Sequence, residues 1–268
     1  MTIAEPPVST GQQNVLKVDG LRKIYNEGKP TAKTAIENVS FDVRQGEFIC
    51  IVGPSGAGKT TLLRCISGLA KASAGRLEFE GKPLTSVPEK LGLVFQDYGR
   101  SLYPWFTNGR NVGLPLAARG WKKADRRPRV MEVLANVGLG HVENQYPWEL
   151  SGGMQQRVAI ARALSYKPEL LLMDEPFASV DAQTRFDLED LTLRVRKELG
   201  ITVLLVTHDI DEAIYLSDRI VVLSGSPSVV KEIVDVPLGA EREQVATRAS
   251  EEFLQLRSHL LSLVMPHA

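Results

Sequence analysis

The chain has 268 residues, of which 43% are hydrophobic and 24% charged, a composition typical of a globular protein with one large domain or two small ones. Its 32 basic and 32 acidic residues cancel, which argues against a dedicated nucleic-acid-binding protein. The two cysteines form no CxxC pair, and the four histidines form no zinc-binding pattern. The longest apolar runs have the length of a β-strand, so we expect no segment that crosses a membrane.

The first predicted elements are a tail and a group of short strands. Residues 1–14 are polar, contain two prolines and lack the apolar stretch of a signal peptide, which indicates a flexible tail. Alternating apolar residues over 15–43, and a further short run over 76–80, then favour an antiparallel sheet.

Continuous apolar runs that alternate with helical stretches make up most of the remaining chain. Such runs are typical of strands buried on both faces of a parallel sheet with crossover helices. A segment over about 97–165 has helical periodicity and few strand signals, which predicts an inserted helical subdomain. A helical tail is predicted over 238–268, with four apolar residues from Phe253 to Leu263 at helical spacing. The predicted buried strands lie at 48–52, 170–173, 203–206 and 220–223, and the predicted crossover helices lie near 59–69, 181–199 and 210–216.

A glycine-rich sequence separates the strand predicted at 48–52 from the helix that follows it. Residues 53–60 read Gly-Pro-Ser-Gly-Ala-Gly-Lys-Thr and match the pattern GxxxxGK[ST]. The backbone N–H groups of such a loop turn inward around phosphates, and the helix start adds its positive dipole end. Lys59 can then reach the β- and γ-phosphates, and the Thr60 hydroxyl can ligate Mg²⁺. An ordinary glycine-rich turn is the alternative, but the flanking strand and helix and the Lys-Thr pair favour nucleotide binding.

A pair of carboxylates follows the apolar run 170–173. Asp174, at the end of this buried strand, would lie beside the metal ion, as the second acidic motif of phosphate-loop NTPases does. Glu175 follows directly and could polarise the attacking water. Taken alone, the pair could equally be two acidic residues at the surface end of a strand. The phosphate loop upstream favours the catalytic interpretation.

A second glycine-rich segment narrows the choice among kinases, GTPases, helicases and transport ATPases, all of which use phosphate loops. Guanine recognition is unsupported, because the only near match to Asn/Thr-Lys-x-Asp, at 16–19, precedes the loop and begins with Leu. Residues 150–157 read Leu-Ser-Gly-Gly-Met-Gln-Gln-Arg. Ser151 has the chemistry of a helix N-cap, and Gly152 and Gly153 allow close approach of an anion. One chain rarely needs two phosphate-binding helix ends, whereas two copies facing each other would use both.

Over about 15–235 the sequence resembles the nucleotide-binding subunits of ABC transporters. Residues 150–156 resemble the signature motif of that family, with Met154 where Gln is usual, and 179–181, Ser-Val-Asp, resemble its Ala-Leu-Asp loop. Three further residues match family positions in the expected order, although each could be an ordinary aromatic, strand-end or helix-start residue. Tyr25 matches the residue that stacks on adenine, Gln96 the glutamine that contacts metal and water, and His208 the switch histidine.

The resemblance implies an α/β phosphate-loop NTPase fold over 15–237, with a parallel-sheet core, an N-terminal antiparallel β subdomain and an inserted α-helical subdomain. It also implies an ATPase in which two copies sandwich two ATP molecules with Mg²⁺. Glu175 would activate water, His208 and Gln96 would complete the catalytic set, and Asp181 would signal across the dimer. The implied metal-contacting residues are Thr60, Gln96 and Asp174, and the implied ATP-contacting residues are Tyr25, Gly53, Pro54, Ser55, Gly56, Ala57, Gly58, Lys59, Thr60, Thr61, Ser151, Gly152, Gly153 and Asp181.

The aromatic segment 98–112 and the family resemblance also predict partners. In the family this surface receives a cytoplasmic helix of the permease, and local packing is the alternative. The pattern Pro-Trp-x-Thr-x-x-x-Asn-Val from Pro104 is similar to that of importers of nitrate, sulfonate and taurine. The resemblance implies separate permease subunits, an indirectly coupled periplasmic or extracellular solute-binding protein, no nucleic acid, and a peripheral place at the cytoplasmic face of the plasma membrane. The basic stretch 122–129 reads as a solvated helix start.

Two other functions remain open at this stage. A soluble ABC ATPase of DNA repair or translation would usually carry long coiled coils or a second ATPase domain, and the sequence has neither pattern. A phosphate-loop kinase for small molecules would have no use for residues 150–156.

Overall fold

The computed structural model describes residues 13–265, apart from the side chains of Tyr98 and Arg100. Most of the predicted tail therefore lies outside the described residues, and Asn14 already belongs to the first strand. The strands are β1 (Asn14–Tyr25), β2 (Lys33–Arg44), β3 (Phe48–Val52), β4 (Ala74–Phe79), β5 (Lys82–Pro83), β6 (Leu91–Val94), β7 (Leu170–Asp174), β8 (Thr202–Val206), β9 (Arg219–Leu223) and β10 (Ser228–Asp235). They form one ten-stranded sheet in the order β5-β4-β1-β2-β10-β9-β3-β8-β7-β6.

The half of the sheet from β9 to β6 is parallel. Every residue of β3, β7, β8 and β9 is buried, as the continuous apolar runs predicted, because helices cover both faces of this half. The carboxyl ends of β3, β6, β7 and β8 consequently meet at one edge. In open α/β sheets this edge is where ligands bind.

The other half of the sheet is mainly antiparallel, with β1 between β2 and β4. Strand β10 joins the halves, because it pairs antiparallel with β9 and, through Ser228 and Val229, parallel with β2. The predicted antiparallel region is thus continuous with the parallel core in one mixed sheet. The predicted α/β class is confirmed.

Most of the helices cover the sheet, and those that lie between β6 and β7 in the sequence form a separate layer. They are α1 (Lys59–Ile66), α2 (Tyr98–Ser101), α3 (Asn108–Ala118), α4 (Lys123–Asn136), α5 (Gly152–Leu164), α6 (Ala182–Leu199), α7 (Ile210–Leu216), α8 (Gln244–Arg248) and α9 (Glu251–Val264). Helix α3 packs against α4 and α5, and α5 also contacts β6 and α6, so this inserted layer is attached to the sheet through α5. Within residues 13–265, none of the helices is both long and apolar enough to cross a membrane.

The basic stretch at the start of α4 is less solvated than the sequence predicts. Arg129 is only 6% exposed, and its guanidinium donates to the carbonyl oxygens of Leu164 and Ser165, each at 2.8 Å. These carbonyls end α5 and need partners, which a basic side chain supplies. The prediction was wrong for Arg129 because its acceptors lie far away in the sequence.

The C-terminal helices fold back onto α6 and α7. Phe253 and Leu260 of α9 are buried in the same apolar cluster as α7, in agreement with their helical spacing. Arg248 of α8 forms an ion pair with the buried Glu189 of α6 at 2.7 Å. The segment after β10 is therefore packed against the elements that follow the carboxyl ends of β7 and β8.

Candidate functional site

The glycine-rich loop connects β3 to α1 at the carboxyl edge of the sheet. Lys59 is only 7% exposed, and its Nζ donates to the carbonyl oxygens of Gly53 at 2.8 Å and Pro54 at 3.2 Å. Gly58 precedes the helix with φ of 80°, and a Cβ there would lie 3.0 Å from the carbonyl oxygen of Ala35. The loop therefore needs glycine at this position, and its own carbonyls hold the lysine in place.

A cleft of about 360 Å³ lies above this loop, a volume within the range of small-molecule sites. Tyr25 at the end of β1 forms one wall, and its hydroxyl lies 3.2 Å from Thr61 Oγ1. We call this the phosphate-loop cleft; it is lined by Tyr25, Lys33, Ala35, Ser55, Gly56, Ala57, Gly58, Lys59, Thr60, Thr61, Glu175 and Ser226.

The sequence did not predict three of the residues that line the phosphate-loop cleft, namely Lys33, Ala35 and Ser226. Lys33 pairs with Tyr25 across the β1–β2 hairpin, so recognising that hairpin would have placed a cation beside the predicted stacking residue. Ser226 lies just before β10, and nothing in the sequence connects it to the loop.

The two predicted carboxylates follow each other at the end of β7. Asp174 is 7% exposed, and its Oδ1 is buried without a hydrogen-bond partner among the described residues. Burial, and then the neighbouring Glu175, raise the pKa of the Asp174 carboxyl, whereas the nearby Thr60 side chain acts to lower this pKa. A buried carboxylate oxygen that lacks a partner beside a threonine hydroxyl suits a hard cation such as Mg²⁺.

Glu175 is the point at which the predicted catalytic residues meet. Its φ of 43° lies in the left-handed region that non-glycine residues rarely adopt, and such conformations occur preferentially at functional sites. Gln96 Nε2 donates to Glu175 Oε2 at 3.2 Å, and His208 Nδ1 lies 3.1 Å from the same oxygen. Gln96, Glu175 and His208 follow β6, β7 and β8, which are neighbours in the sheet, so the topology brings them together.

The charges of the cleft partly compensate one another. Burial lowers the pKa of the Lys59 ammonium, while Glu175 and Asp174 act in the opposite direction. A lysine held in this way is a cation with two carboxylates close by, in surroundings where charge interactions are screened less than in water. Such a cleft can accept a polyanionic ligand together with a divalent cation.

The remaining predicted residues, namely Ser151, Gly152, Gly153 and Asp181, lie on a second surface, which we call the signature face and which also includes Thr184. Ser151 caps α5 by accepting from Met154 N at 3.3 Å, and Asp181 caps α6 by accepting from Thr184 N at 3.0 Å. The starts of α5 and α6 lie very close together, because a Cβ added at Gly153 would be only 2.3 Å from Thr184 Cγ2. The Thr184 hydrogen bonds also lower the pKa of the Asp181 carboxyl.

None of the five residues of the signature face lines the phosphate-loop cleft. Within one chain the structure therefore gathers Tyr25, the loop, both carboxylates, Gln96 and His208, but leaves Ser151, Gly152, Gly153 and Asp181 apart from them. The phosphate loop and the signature face thus contain two separate helix starts, each of a kind that suits an anion.

Comparison with known proteins identifies the family. The ABC transporter family matches residues 36–178, which include the loop, Gln96, the signature face up to Gly153 and both carboxylates. The chain belongs to the ABC transporter family.

Relatives agree over most of the length of this ABC transporter protein. It is 41% identical to a nitrate import ATP-binding protein of Synechococcus elongatus over 86% of this chain and 84% of the relative. It is 38% identical to an aliphatic sulfonates import ATP-binding protein of Bacillus cereus over 92% of this chain and 94% of the relative. The resemblance predicted from the sequence, and with it the class of ABC-type ATPases, is confirmed.

A solved structure agrees as well. A dimeric ATP-binding cassette in a post-hydrolysis state, bound to ADP and phosphate, has 33% sequence identity and a TM-score of 0.72. The match covers 84% of this chain and all of that one.

Proposed function

We propose that this chain is the ATP-binding and ATP-hydrolysing subunit of an ABC importer, acting as a head-to-tail pair beneath separate permease subunits. The observation that carries the proposal is the meeting of Gln96 and His208 on the carboxylate of Glu175, which itself lines the phosphate-loop cleft. A carboxylate held by two polar side chains beside a phosphate site is suited to activating water.

In the proposed reaction, the phosphate loop binds the triphosphate with its N–H groups while Lys59 neutralises the β- and γ-phosphates. Glu175 accepts a proton from the attacking water, whose oxygen bonds to the γ-phosphorus as the bond to the ADP oxygen breaks. His208 and Gln96 orient Glu175, the water and the γ-phosphate. Thr60, Asp174 and Gln96 would hold Mg²⁺, which neutralises charge that develops on the phosphate oxygens.

The signature face supplies the reason for a pair. Ser151, Gly152 and Gly153 form a helix start that suits an anion, yet they lie outside the cleft of their own chain. In the proposed dimer each γ-phosphate lies between Lys59 of one copy and Ser151 and Gly153 of the other, and Asp181 signals across the interface. Loss of that phosphate loosens the pair and changes the state of the permease.

An aromatic surface after Gln96 is the proposed docking site for the permease. Tyr103, Trp105 and Phe106 form a cluster with ring centroids 5.4 to 6.4 Å apart, and Trp105 is 67% exposed. Exposed aromatic side chains are frequent anchors of protein interfaces. The relatives named for nitrate and sulfonate import support a small oxyanion of the nitrate, sulfonate or taurine type as the cargo. We further propose a peripheral place at the cytoplasmic face of the membrane, indirect coupling to a solute-binding protein and no role for nucleic acid.

The proposal is tested first at Lys59. Because Lys59→Ala removes a charge-assisted contact, we expect Mg-ATP affinity to fall ~10–100-fold and hydrolysis to be lost. Isothermal titration and phosphate release measure these changes, with Lys82→Ala on the exposed strand β5 as the control. Unchanged affinity together with normal turnover in Lys59→Ala would refute the proposal.

Docking is tested by co-purification with a polytopic membrane protein. Trp105→Ala should lose the membrane partner and keep its ATPase activity, whereas Trp148→Ala, at an equally exposed tryptophan that is 69% accessible, should retain the partner. Equal retention by both variants would remove the aromatic cluster from the interface.

A further inference from the structure

Glu212 is an acidic residue in an apolar helix. It lies in the first turn of α7, where its neighbours Ile210, Ala213 and Ile214 are buried, and it is itself only 4% exposed. A carboxyl group in such surroundings is costly unless it is neutral or hydrogen-bonded. Burial, followed by Glu189 and Asp209, raises the pKa of Glu212 to about 8, so the group is largely neutral at physiological pH.

The hydrogen bonds of Glu212 lead to the turn that carries His208. Thr207 and Glu212 line the same small cavity, and Thr207 Oγ1 accepts from Asp209 N at 3.0 Å. Asp209 Oδ1 in turn accepts from the backbone N–H of Glu212 at 3.0 Å, so Asp209 is bonded both to Thr207 and to the first turn of α7. Arg185 of α6 donates to the other Asp209 oxygen at 3.2 Å. Thr207 and Asp209, which flank His208 in the sequence, are thus fixed by hydrogen bonds.

A small polar cavity lies between these groups and the catalytic residues. Its volume is about 30 Å³, and Glu175, His208, Arg185 and Glu212 are among its lining residues. Glu212 Oε1 and Arg185 Nε are both buried without a hydrogen-bond partner among the described residues. Two unpartnered polar atoms around a cavity of this size suit a buried water molecule, which typically makes about three hydrogen bonds.

We propose that Glu212 is a positioning residue for His208, and that its carboxyl group fixes the turn 207–209 from the cavity that they line, through a water molecule shared with Arg185, the hydrogen-bond partner of Asp209. The inference rests on the proposed function, in which His208 orients Glu175 and the γ-phosphate. Among the described residues the Glu175 carboxylate is hydrogen-bonded by Gln96 and His208 and not by Glu212, so Glu212 would act on it only through the placement of His208.

Turnover in single and double variants tests this inference. Glu212→Ala should lower kcat ~10-fold while KM for ATP stays within ~2-fold of the native value. Glu212→Gln, which keeps the shape of the side chain and is neutral, should retain most of the native kcat. In a His208→Ala background, Glu212→Ala should cause no further loss, because residues that act as a unit are not additive. Asp211→Ala is the control, since Asp211 shares the helix turn but pairs outward with Arg257 at 2.8 Å.

The pH profile gives a second readout that does not need the alanine variant to fold. The charged or titratable groups facing Glu212 are Arg185 and Glu189 of α6, His208 and Asp209 of the preceding turn, Glu175 after β7, and Cys50 of β3. Ionisation of Glu212 among Glu189 and Asp209 should disturb the turn, so kcat of the native protein should fall above a pH of about 8. Glu212→Gln should lack that fall.

The outcomes separate the inference from the proposed function. Normal kcat in Glu212→Ala, an additive loss in the His208→Ala background, or an unchanged alkaline fall in Glu212→Gln would each overturn the positioning role while His208→Ala remains impaired. Full activity of Lys59→Ala would instead overturn the proposed function.

Discussion

The phosphate-loop cleft and the signature face each contain a glycine-rich helix start, and they differ in how many of the predicted site residues each brings together. In the cleft, the buried Lys59 is close to the carboxylates of Asp174 and Glu175. Gln96 and His208 both hydrogen-bond the carboxylate of Glu175. On the signature face, Ser151 and Asp181 are exposed and cap only their own helices. Under the proposed function the cleft contains the reaction centre, and the signature face is one wall of a site that a second copy completes.

The largest expected effect comes from the carboxylate at the centre of the cleft. Glu175→Gln keeps the shape of the side chain and removes its basicity, so kcat should fall ~10²–10³-fold while ATP still binds. The variant should then accumulate as a dimer with ATP, which light scattering after gel filtration detects. Glu169→Gln, near the opposite end of β7, is the matched control. Near-normal hydrolysis in Glu175→Gln would remove Glu175 from its role.

A change on the signature face should impair turnover without impairing binding. In Gly153→Ala the new Cβ would lie 2.3 Å from Thr184 Cγ2, and displacing Thr184 breaks its 2.6 Å hydrogen bond to Asp181. We expect kcat to fall ~10-fold, equivalent to about 1.4 kcal/mol, with the ATP affinity of one chain unchanged.

Gly140→Ala is the control for that change, because its Cβ would meet only Ala135 at 3.9 Å. If Gly153→Ala instead lowered the ATP affinity of a single chain as strongly as it lowers kcat, the signature face would belong to the same site as the cleft of its own chain. That result would contradict the division into two regions.

A smaller effect is expected at the wall of the cleft. Tyr25→Ala should raise KM for ATP ~3–10-fold with little change in kcat, because a stacking surface binds the ground state and the transition state alike. Tyr25→Phe keeps the ring and loses only the hydroxyl contact to Thr61, so it should behave nearly as the native protein. If the phenylalanine and alanine variants lose affinity equally, stacking is not the contribution of Tyr25.

The smallest effects concern stability without ligand, and they should have opposite signs in the two regions. Because the pKa of Asp174 is raised, the native protein loses stability as pH rises from the unfolded-state value of 3.8 through the higher folded-state value. Asp174→Asn should therefore raise the unfolding midpoint by ~2–4 °C at pH 7, and the difference should vanish near pH 3. Asp181→Ala removes a helix cap and should lower the midpoint by a similar ~2–4 °C. Calorimetry measures both changes, and a shift of the same sign in both variants would contradict the contrast.

The sequence predicted those parts of the molecule that depend on local pattern. The four continuous apolar runs are strands, and 59–69, 181–199 and 210–216 coincide within a few residues with α1, α6 and α7. The motif residues at the carboxyl ends of β3, β6, β7 and β8 could be placed together because parallel strands end at one edge. Their individual roles remain predictions.

The features that the sequence did not predict depend on contacts between distant residues. Arg129 looks like a surface cation, but its acceptors at the end of α5 lie 35 and 36 positions away. The pairing of β10 with β2, which makes the sheet continuous, joins Ser228 to Ile36. Glu212 gave a faint signal as an acidic residue in a short apolar helix, but its link to His208 is visible only in three dimensions.

The most direct test joins the two regions chemically. One copy carrying Ser55→Cys in the phosphate loop is mixed with another carrying Ser151→Cys, both in the Glu175→Gln background and with the membrane partner supplied. The native Cys50 and Cys65 are buried and should not react with a short bifunctional maleimide. The account predicts a cross-linked species of two chains that forms only when Mg-ATP is present. A mixture that never cross-links, or that cross-links equally well without nucleotide, would contradict it.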